Sequence, residues 1–274
     1  MAGPDVVRGW PAWLLGALAA VALAYAAVLA LLWWGQERLI FQPVALPAAH
    51  RFDFGPDVHE TWVDVPGARL HALHLRLPKP DGVVFFLHGN AGNLQSWFVN
   101  ADFYRRANFD LFMIDYRAYG KSSGRIQGEA ELMDDVRAAW AQVAPQYKGL
   151  RRVIYGRSLG SGLAAMLAAE VQPELTVLAT PYSSMSALVA DIYPWVPAGL
   201  LRYPLRTDLA LPKVKGTVLL VHGTHDELIP SAHSVRLAAL VPAATLLLLP
   251  GAGHNDIQVF PAYLDALAAA LRAP

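Results

Sequence analysis

The chain has 274 residues, enough for an apolar N-terminal stretch followed by one α/β domain with a sizeable core. Lys+Arg and Asp+Glu both total 22, and this zero net charge argues against an electrostatic grip on nucleic acid. The absence of cysteine excludes a disulfide framework, a thiol nucleophile and any thiolate metal site.

From Ala12 to Trp34 there is no charged residue. At about 1.5 Å rise per residue the run is long enough to cross a hydrocarbon core of roughly 30 Å. Trp10 and Trp13 at one end, with Trp33 and Trp34 at the other, are placed as interfacial aromatic belts. A cleaved signal peptide is the rival, since Arg8 lies upstream and Ala24-Tyr25-Ala26 is an A-x-A triplet. A signal's apolar region spans only about 7–15 residues, however. The expectation is an uncleaved, single-pass membrane helix over residues 1–35. Arg8 and the amino terminus before the span, against Arg38 and Arg51 after it, lean the rest of the chain to the exported side. Residues 36–56 are Pro-rich and aperiodic and read as a juxtamembrane linker, and 57–274 as the folded domain.

Within that domain, residues 58–65 and 69–77 alternate well enough for two antiparallel strands around Pro66-Gly67, and the lapse at Leu73/Leu75 leaves room for a bulge. Residues 82–88 are continuously apolar, as expected of a central strand, and empty into Gly89-Asn90-Ala91-Gly92-Asn93 before a helix over 94–107. A strand over 111–115, a helix over 129–143, a strand ending near Tyr155 and a helix from 163 follow. After a strand over 175–179, residues 183–215 interrupt the alternation with four prolines and Tyr193, Trp195 and Tyr203. That is too long for an ordinary loop and reads as a short cap insertion. Strands over 217–221 and 245–249 and helices over 231–240 and up to Arg272 complete the chain.

This alternation predicts an α/β fold with a mainly parallel central sheet and helices on both faces. In such sheets the site lies beyond the carboxyl ends of the strands. The polar turns after His88, Asp115, Gly156, Val221 and Leu249 all fall there.

One of them, Gly156-Arg157-Ser158-Leu159-Gly160, is a G-x-S-x-G between an apolar strand and a helix. A serine at such a turn is lifted clear of the sheet in strained geometry, and the glycines permit close strand–helix approach. A serine hydroxyl needs a base, and the base an orienting carboxylate, in the chain order Ser, Asp or Glu, His. The strand-end groups downstream assign Ser158 as nucleophile, His254 as general base and Asp226 as orienter. Glu227 is the rival for the last role, while Asp256 follows His254 and breaks the order. The oxyanion donors are expected to be the N–H groups of Leu159 and of Asn90, with Ala91 next. Tyr193 and Trp195 of the cap are the substrate-binding candidates. His222 and His225 before Asp226 lack a third metal ligand, and no metal or cofactor is expected. His88 and Asp115 read as loop-fixing, and His50, His59, His71, His74 and His233 as surface or packing residues. Arg157 is open between binding a ligand carboxylate or phosphate and solvation.

Phe85–Asn93 (FFLHGNAGN), Ile114–Gly124 (IDYRAYGKSSG), Tyr155–Ala164 (YGRSLGSGLA), Val221–Pro230 (VHGTHDELIP) and Pro250–Asp256 (PGAGHND) together resemble the Bem46/ABHD13-like and ABHD17-like branch of the α/β-hydrolase superfamily. Glu37–Pro43 (ERLIFQP) after an N-terminal anchor is similar too. The resemblance covers essentially everything after the anchor. It implies an α/β-hydrolase fold and a serine hydrolase using Ser158, Asp226 and His254. Ala118 departs from the glycine usual in D-Y-R-G-Y-G. The ABHD17-like relatives remove palmitate from protein cysteines, but they are anchored by an N-terminal cysteine cluster that this chain lacks, so that role is not carried over.

The resulting expectation is a membrane-anchored serine hydrolase cleaving carboxylic esters or thioesters through an acyl-enzyme. Its partners would be the membrane and a small-molecule or lipid acyl substrate. A peptidase or amidase of the same fold and a non-catalytic membrane-tethered scaffold are the alternatives. Oligomeric state is left open.

Overall fold

The computed structural model of the chain describes residues 11–273. Arg8 and Trp10, which entered the charge bias and the aromatic belt, lie outside them. The two first strands of the main sheet, β1 (Val58–Val65) and β2 (Ala68–Leu75), pair antiparallel about the Pro66-Gly67 turn. Their register runs without a break from Val58↔Leu75 to Val65↔Ala68, with no bulge between them. Alternation lapses in β2 because its residues from Leu70 to Leu75 are buried on both faces, His71 and His74 included. Six more strands follow: β3 (Gly82–Leu87), β4 (Phe109–Ile114), β5 (Arg151–Arg157), β6 (Leu175–Ala179), β7 (Thr217–Gly223) and β8 (Thr245–Leu249).

The eight form one sheet in the order β1-β2-β4-β3-β5-β6-β7-β8. Every pairing from β4 to β8 is parallel, and only β1–β2 and β2–β4 are antiparallel. Each residue of β3 and β4 is buried, as a central strand covered on both faces requires.

The longer helices are α1 (Ala12–Ile40), α2 (Ala101–Ala107), α3 (Glu129–Val143), α4 (Leu159–Val171), α5 (Met185–Ile192), α6 (Ala232–Leu240) and α7 (Pro261–Arg272). Leu132, Val136 and Trp140 of α3, Leu163 and Leu167 of α4 and Leu237 of α6 share one apolar cluster. Tyr104 of α2 and Tyr263, Leu267 and Leu271 of α7 share the other, across the sheet. The mainly parallel α/β architecture is therefore the one the sequence predicts.

Beyond shifts of one to four residues at element ends, two stretches differ. The helix expected over 94–107 is broken into a turn at Leu94–Trp97, a 3-10 turn at Phe98–Asn100 and α2. Asn93 caps the first turn through Gln95 N–H at 2.9 Å, and weak helix formers follow it. Helix α1 also continues through residues 36–40, which the sequence placed in the linker. The chain beyond it is no free tether. The Gln42 N–H donates to the Asn90 carbonyl at 2.8 Å, Val44 N–H to Gly92 at 3.0 Å and Leu46 N–H to Gly120 at 2.8 Å, so this segment is stitched across two strand-end loops.

Candidate active site

β5 ends at Arg157 and α4 begins at Leu159, leaving Ser158 to make the turn. Its φ of 52° and ψ of −121° lie where L-residues rarely sit. Packing on both sides holds the strain. A Cβ at Gly156 would stand 2.4 Å from the Gly160 carbonyl oxygen, and one at Gly160 would stand 2.1 Å from that of Leu87. Only glycine lets β5, α4 and β3 come this close.

His254, on the loop after β8, places Nε2 2.9 Å from Ser158 Oγ and Nδ1 2.7 Å from Asp226 Oδ2. Asp226, just past β7, accepts through Oδ1 the N–H groups of Leu228 at 2.9 Å and Ile229 at 2.8 Å. His222 Nε2 lies 2.8 Å from the Ile229 carbonyl and 3.2 Å from Oδ2, the oxygen that faces His254, so its N–H is shared between them. Burial pushes the Asp226 carboxyl up, but hydrogen bonds from His222, His254 and Ile229 outweigh this and hold it well below the usual carboxylate range. As a carboxylate it accepts a hydrogen bond from His254 Nδ1–H, which leaves Nε2 free to accept from the serine hydroxyl. The rivals are placed elsewhere: Glu227 is exposed, and Asp256 accepts the Gly253 N–H at 2.7 Å. His222 is buried and His225 exposed, so the two do not share a site.

The loop after β3 lies alongside. Asn90 shares a cavity with Ser158 and Leu159, whereas Ala91 lines a neighbouring one. The Asn90 carbonyl is held by Gln42 N–H, and Tyr119 Oη donates to it at 2.5 Å. His88 is fully buried, with Nδ1 2.7 Å from the Gly89 carbonyl, and burial lowers its basicity. Asp115 accepts the Leu94 N–H at 3.0 Å. Both fix loops, as the sequence suggests. Arg157 is not solvated: it packs 5.4 Å over the Trp97 ring and donates to the His254 carbonyl at 3.2 Å. Its place is behind the histidine loop.

The cavity beside Ser158 measures about 490 Å³, within the range of small-molecule sites. Tyr193 and Trp195 both line it, with Met185, Leu188 and Val189 of α5. Four further lining residues, Leu32, Gln36, Leu39 and Ile40, come from α1. Sequence reasoning missed them, although their i, i+4, i+7, i+8 spacing marks a single helix face. His222 was missed as the second support of Asp226; nothing local in H-x-x-H-D distinguishes that from a metal half-site.

A family profile described as "Serine aminopeptidase, S33" matches residues 78–207. An uncharacterized protein of Mycobacterium tuberculosis is 31% identical over 266 residues, covering 92% of this chain and 93% of its own. The human α/β-hydrolase domain-containing protein 17B is 30% identical over 209 residues, covering 73% of this chain and 70% of its own. In structure, an esterase of Pyrococcus furiosus superposes with a TM-score of 0.66 at 18% identity, over 85% of this chain and 98% of its own. The chain belongs to the α/β-hydrolase superfamily, with relatives of the protein 17 type, and is a hydrolase.

Proposed function

We propose that this protein is a membrane-anchored serine hydrolase cleaving carboxylic esters or thioesters of apolar acyl groups, its folded body on the exported side. The observation that carries the reading is the line Ser158 Oγ–His254–Asp226, at 2.9 and 2.7 Å, opening on an apolar cavity. In the proposed cycle His254 Nε2 takes the Ser158 proton as Oγ attacks the acyl carbon. The oxyanion that forms is met by the N–H groups of Leu159 and Asn90. Collapse expels the alcohol or thiol, which receives the proton from His254, and a water activated by the same imidazole releases the acid. The strained elbow suits this role, since it needs no reorganisation during attack.

A second reading, an amidase or aminopeptidase, is favoured by the description of the matching family profile. Against it, no Asp or Glu is among the described residues lining the Ser158 cavity, so nothing there would pair with a substrate α-ammonium.

The test is fluorophosphonate labelling with p-nitrophenyl acyl ester and aminoacyl-anilide turnover, on the wild type beside Ser158→Ala and Asp226→Asn. Labelling and ester turnover should vanish in Ser158→Ala, and Asp226→Asn should lose roughly 10³- to 10⁴-fold in kcat. Failure of the folded wild type to label would transfer the reading to a non-catalytic scaffold. Faster anilide than ester turnover would select the amidase.

A further inference from the structure

One wall of the Ser158 cavity is the last turns of α1, the helix long and apolar enough to cross a membrane. Leu32, Gln36, Leu39 and Ile40 lie on one of its faces and look into the cavity. This end of the helix is locked to the 183–215 insertion. Gln36 is buried, donates to the Leu200 carbonyl at 2.9 Å and accepts the Arg202 N–H at 2.8 Å. Glu37 pairs with Arg202 at 2.7 Å and accepts from Tyr203 Oη at 2.9 Å.

The position of the bilayer follows from charge. Between Ala12 and Gln36 there is no ionisable acid or base other than the Tyr25 phenol, and Glu37 and Arg38 are the first charges beyond the span. A hydrocarbon core of roughly 30 Å consumes about 20 residues of a 29-residue helix, so its boundary falls near the residues that line the cavity. Further into the membrane, Tyr25 Oη donates to the Trp195 carbonyl at 2.8 Å. Tyr25 lies fifteen residues before Ile40, roughly 22 Å along the axis. The tip of the insertion therefore reaches down beside the span. That tip exposes Ile192 at 45%, Tyr193 at 51% and Trp195 at 49%, an apolar surface suited to contact with acyl chains beside the span.

From this geometry we infer that the acyl-binding cavity is loaded sideways from the bilayer, with the α1 face as one of its walls. The substrate class is then a membrane-resident ester or thioester whose acyl chain passes between α1 and the insertion to reach Ser158. This deepens the proposed serine hydrolase and rests on it. A membrane helix so placed is at once tether and specificity element. Substituents on its cavity face shorten the space left for the chain; substituents on its outer face do not.

The full-length protein is reconstituted in phosphatidylcholine vesicles, and two readouts are taken. In the first, a fluorogenic long-chain ester with a second lipid tail, which does not exchange between vesicles, is placed either in the same vesicles as the protein or in separate ones. Turnover at least tenfold faster in the shared vesicles is expected; equal rates in both would overturn sideways loading. In the second, the long-chain to short-chain ratio of kcat/KM for p-nitrophenyl esters is compared in Leu32→Trp, Ile40→Trp and the outer-face control Leu31→Trp. A fall of tenfold or more in the two cavity-face variants, with the control like wild type, is expected. An unchanged ratio in both variants would remove α1 from the acyl site. Fluorophosphonate labelling is run on every sample: a wild type that labels while these readouts fail rejects only the sideways loading, and one that never labels rejects the serine hydrolase itself.

Discussion

Ala118 occupies the left-handed region, with φ of 69°, in the turn that follows β4. The turn is closed by Tyr119 N–H to the Tyr116 carbonyl at 2.9 Å and Ser122 N–H to that of Tyr119 at 2.8 Å, so the backbone cannot relax away from it. A Cβ in this conformation meets the neighbouring carbonyl and costs about 1 kcal/mol. Ala118→Gly removes that strain and restores the residue the resemblance leads one to expect. The extra entropy glycine brings to the unfolded chain offsets part of the gain. A net stabilisation of about 0.5 kcal/mol is expected, roughly 1–2 °C in a thermal melt. A lower melting temperature would show that the turn prefers its Cβ. Two positions on, Gly120 admits no such freedom: at φ of 51°, a Cβ would lie 1.9 Å from Asp115 Oδ2. The sequence names the departure at Ala118, but only the backbone angle says what it costs. Arg157 shows the same limit, because its two neighbours, Trp97 and His254, arrive from sixty residues upstream and nearly a hundred downstream.

At the level of whole elements, one of the contacts that hold the insertion to the body is a buried imidazole. His233, on α6, accepts the Ser183 N–H at 3.1 Å through Nδ1, with an Arg236 guanidinium N–H also 2.9 Å from that nitrogen. Its Nε2 lies 3.3 Å from Asp191 of α5. With donors already on Nδ1, the ring is the neutral, Nε2-protonated form. Burial and then Arg236 lower its pKa to about 4, outweighing Asp191. The unfolded value is near 6.5, so the unfolded chain binds the extra proton between those limits. The stabilisation is complete above about pH 6.5 and is lost as pH falls toward 4. His74, lowered to about 4 chiefly by burial, works in the same window and the same direction. Thermal melts in detergent from pH 7.5 to 4.5 should show His233→Gln with a shallower acid loss than wild type, by on the order of 1–2 kcal/mol across the window. Parallel curves would mean that His233 does not carry the dependence.

For the whole molecule, the side on which the proposed anchor would leave the folded body rests on few charges. Arg8 precedes the span, while Arg38 and Arg51 follow it. The exported placement proposed above predicts that a carboxy-terminal alkaline phosphatase fusion is active in a bacterial host and a green fluorescent protein fusion dark. The opposite pair would place the body in the cytoplasm.

Local rules carried the sequence a long way here. Apolar runs of strand length separated by helical periodicity determined a mainly parallel sheet, because burial on both faces leaves no other pattern. The G-x-S-x-G turn and the chain order of strand-end groups led to Ser158, to His254 and to Asp226 with Glu227 as its rival, since the chain must return to the same sheet edge after every strand. What tertiary structure decided are the relations that no such rule encodes. The unbroken register of β1 and β2, the choice of Asp226 over Glu227 as the partner of His254, and the support of Asp226 by His222 depend on side-chain directions set by packing. The largest of these is the role of α1. Read along the chain it is an apolar span, and its length and composition say only that it can cross a membrane. That its Leu32, Gln36, Leu39 and Ile40 face wall the Ser158 cavity is settled by contacts with residues more than 160 positions away, at Leu200, Arg202 and Tyr203.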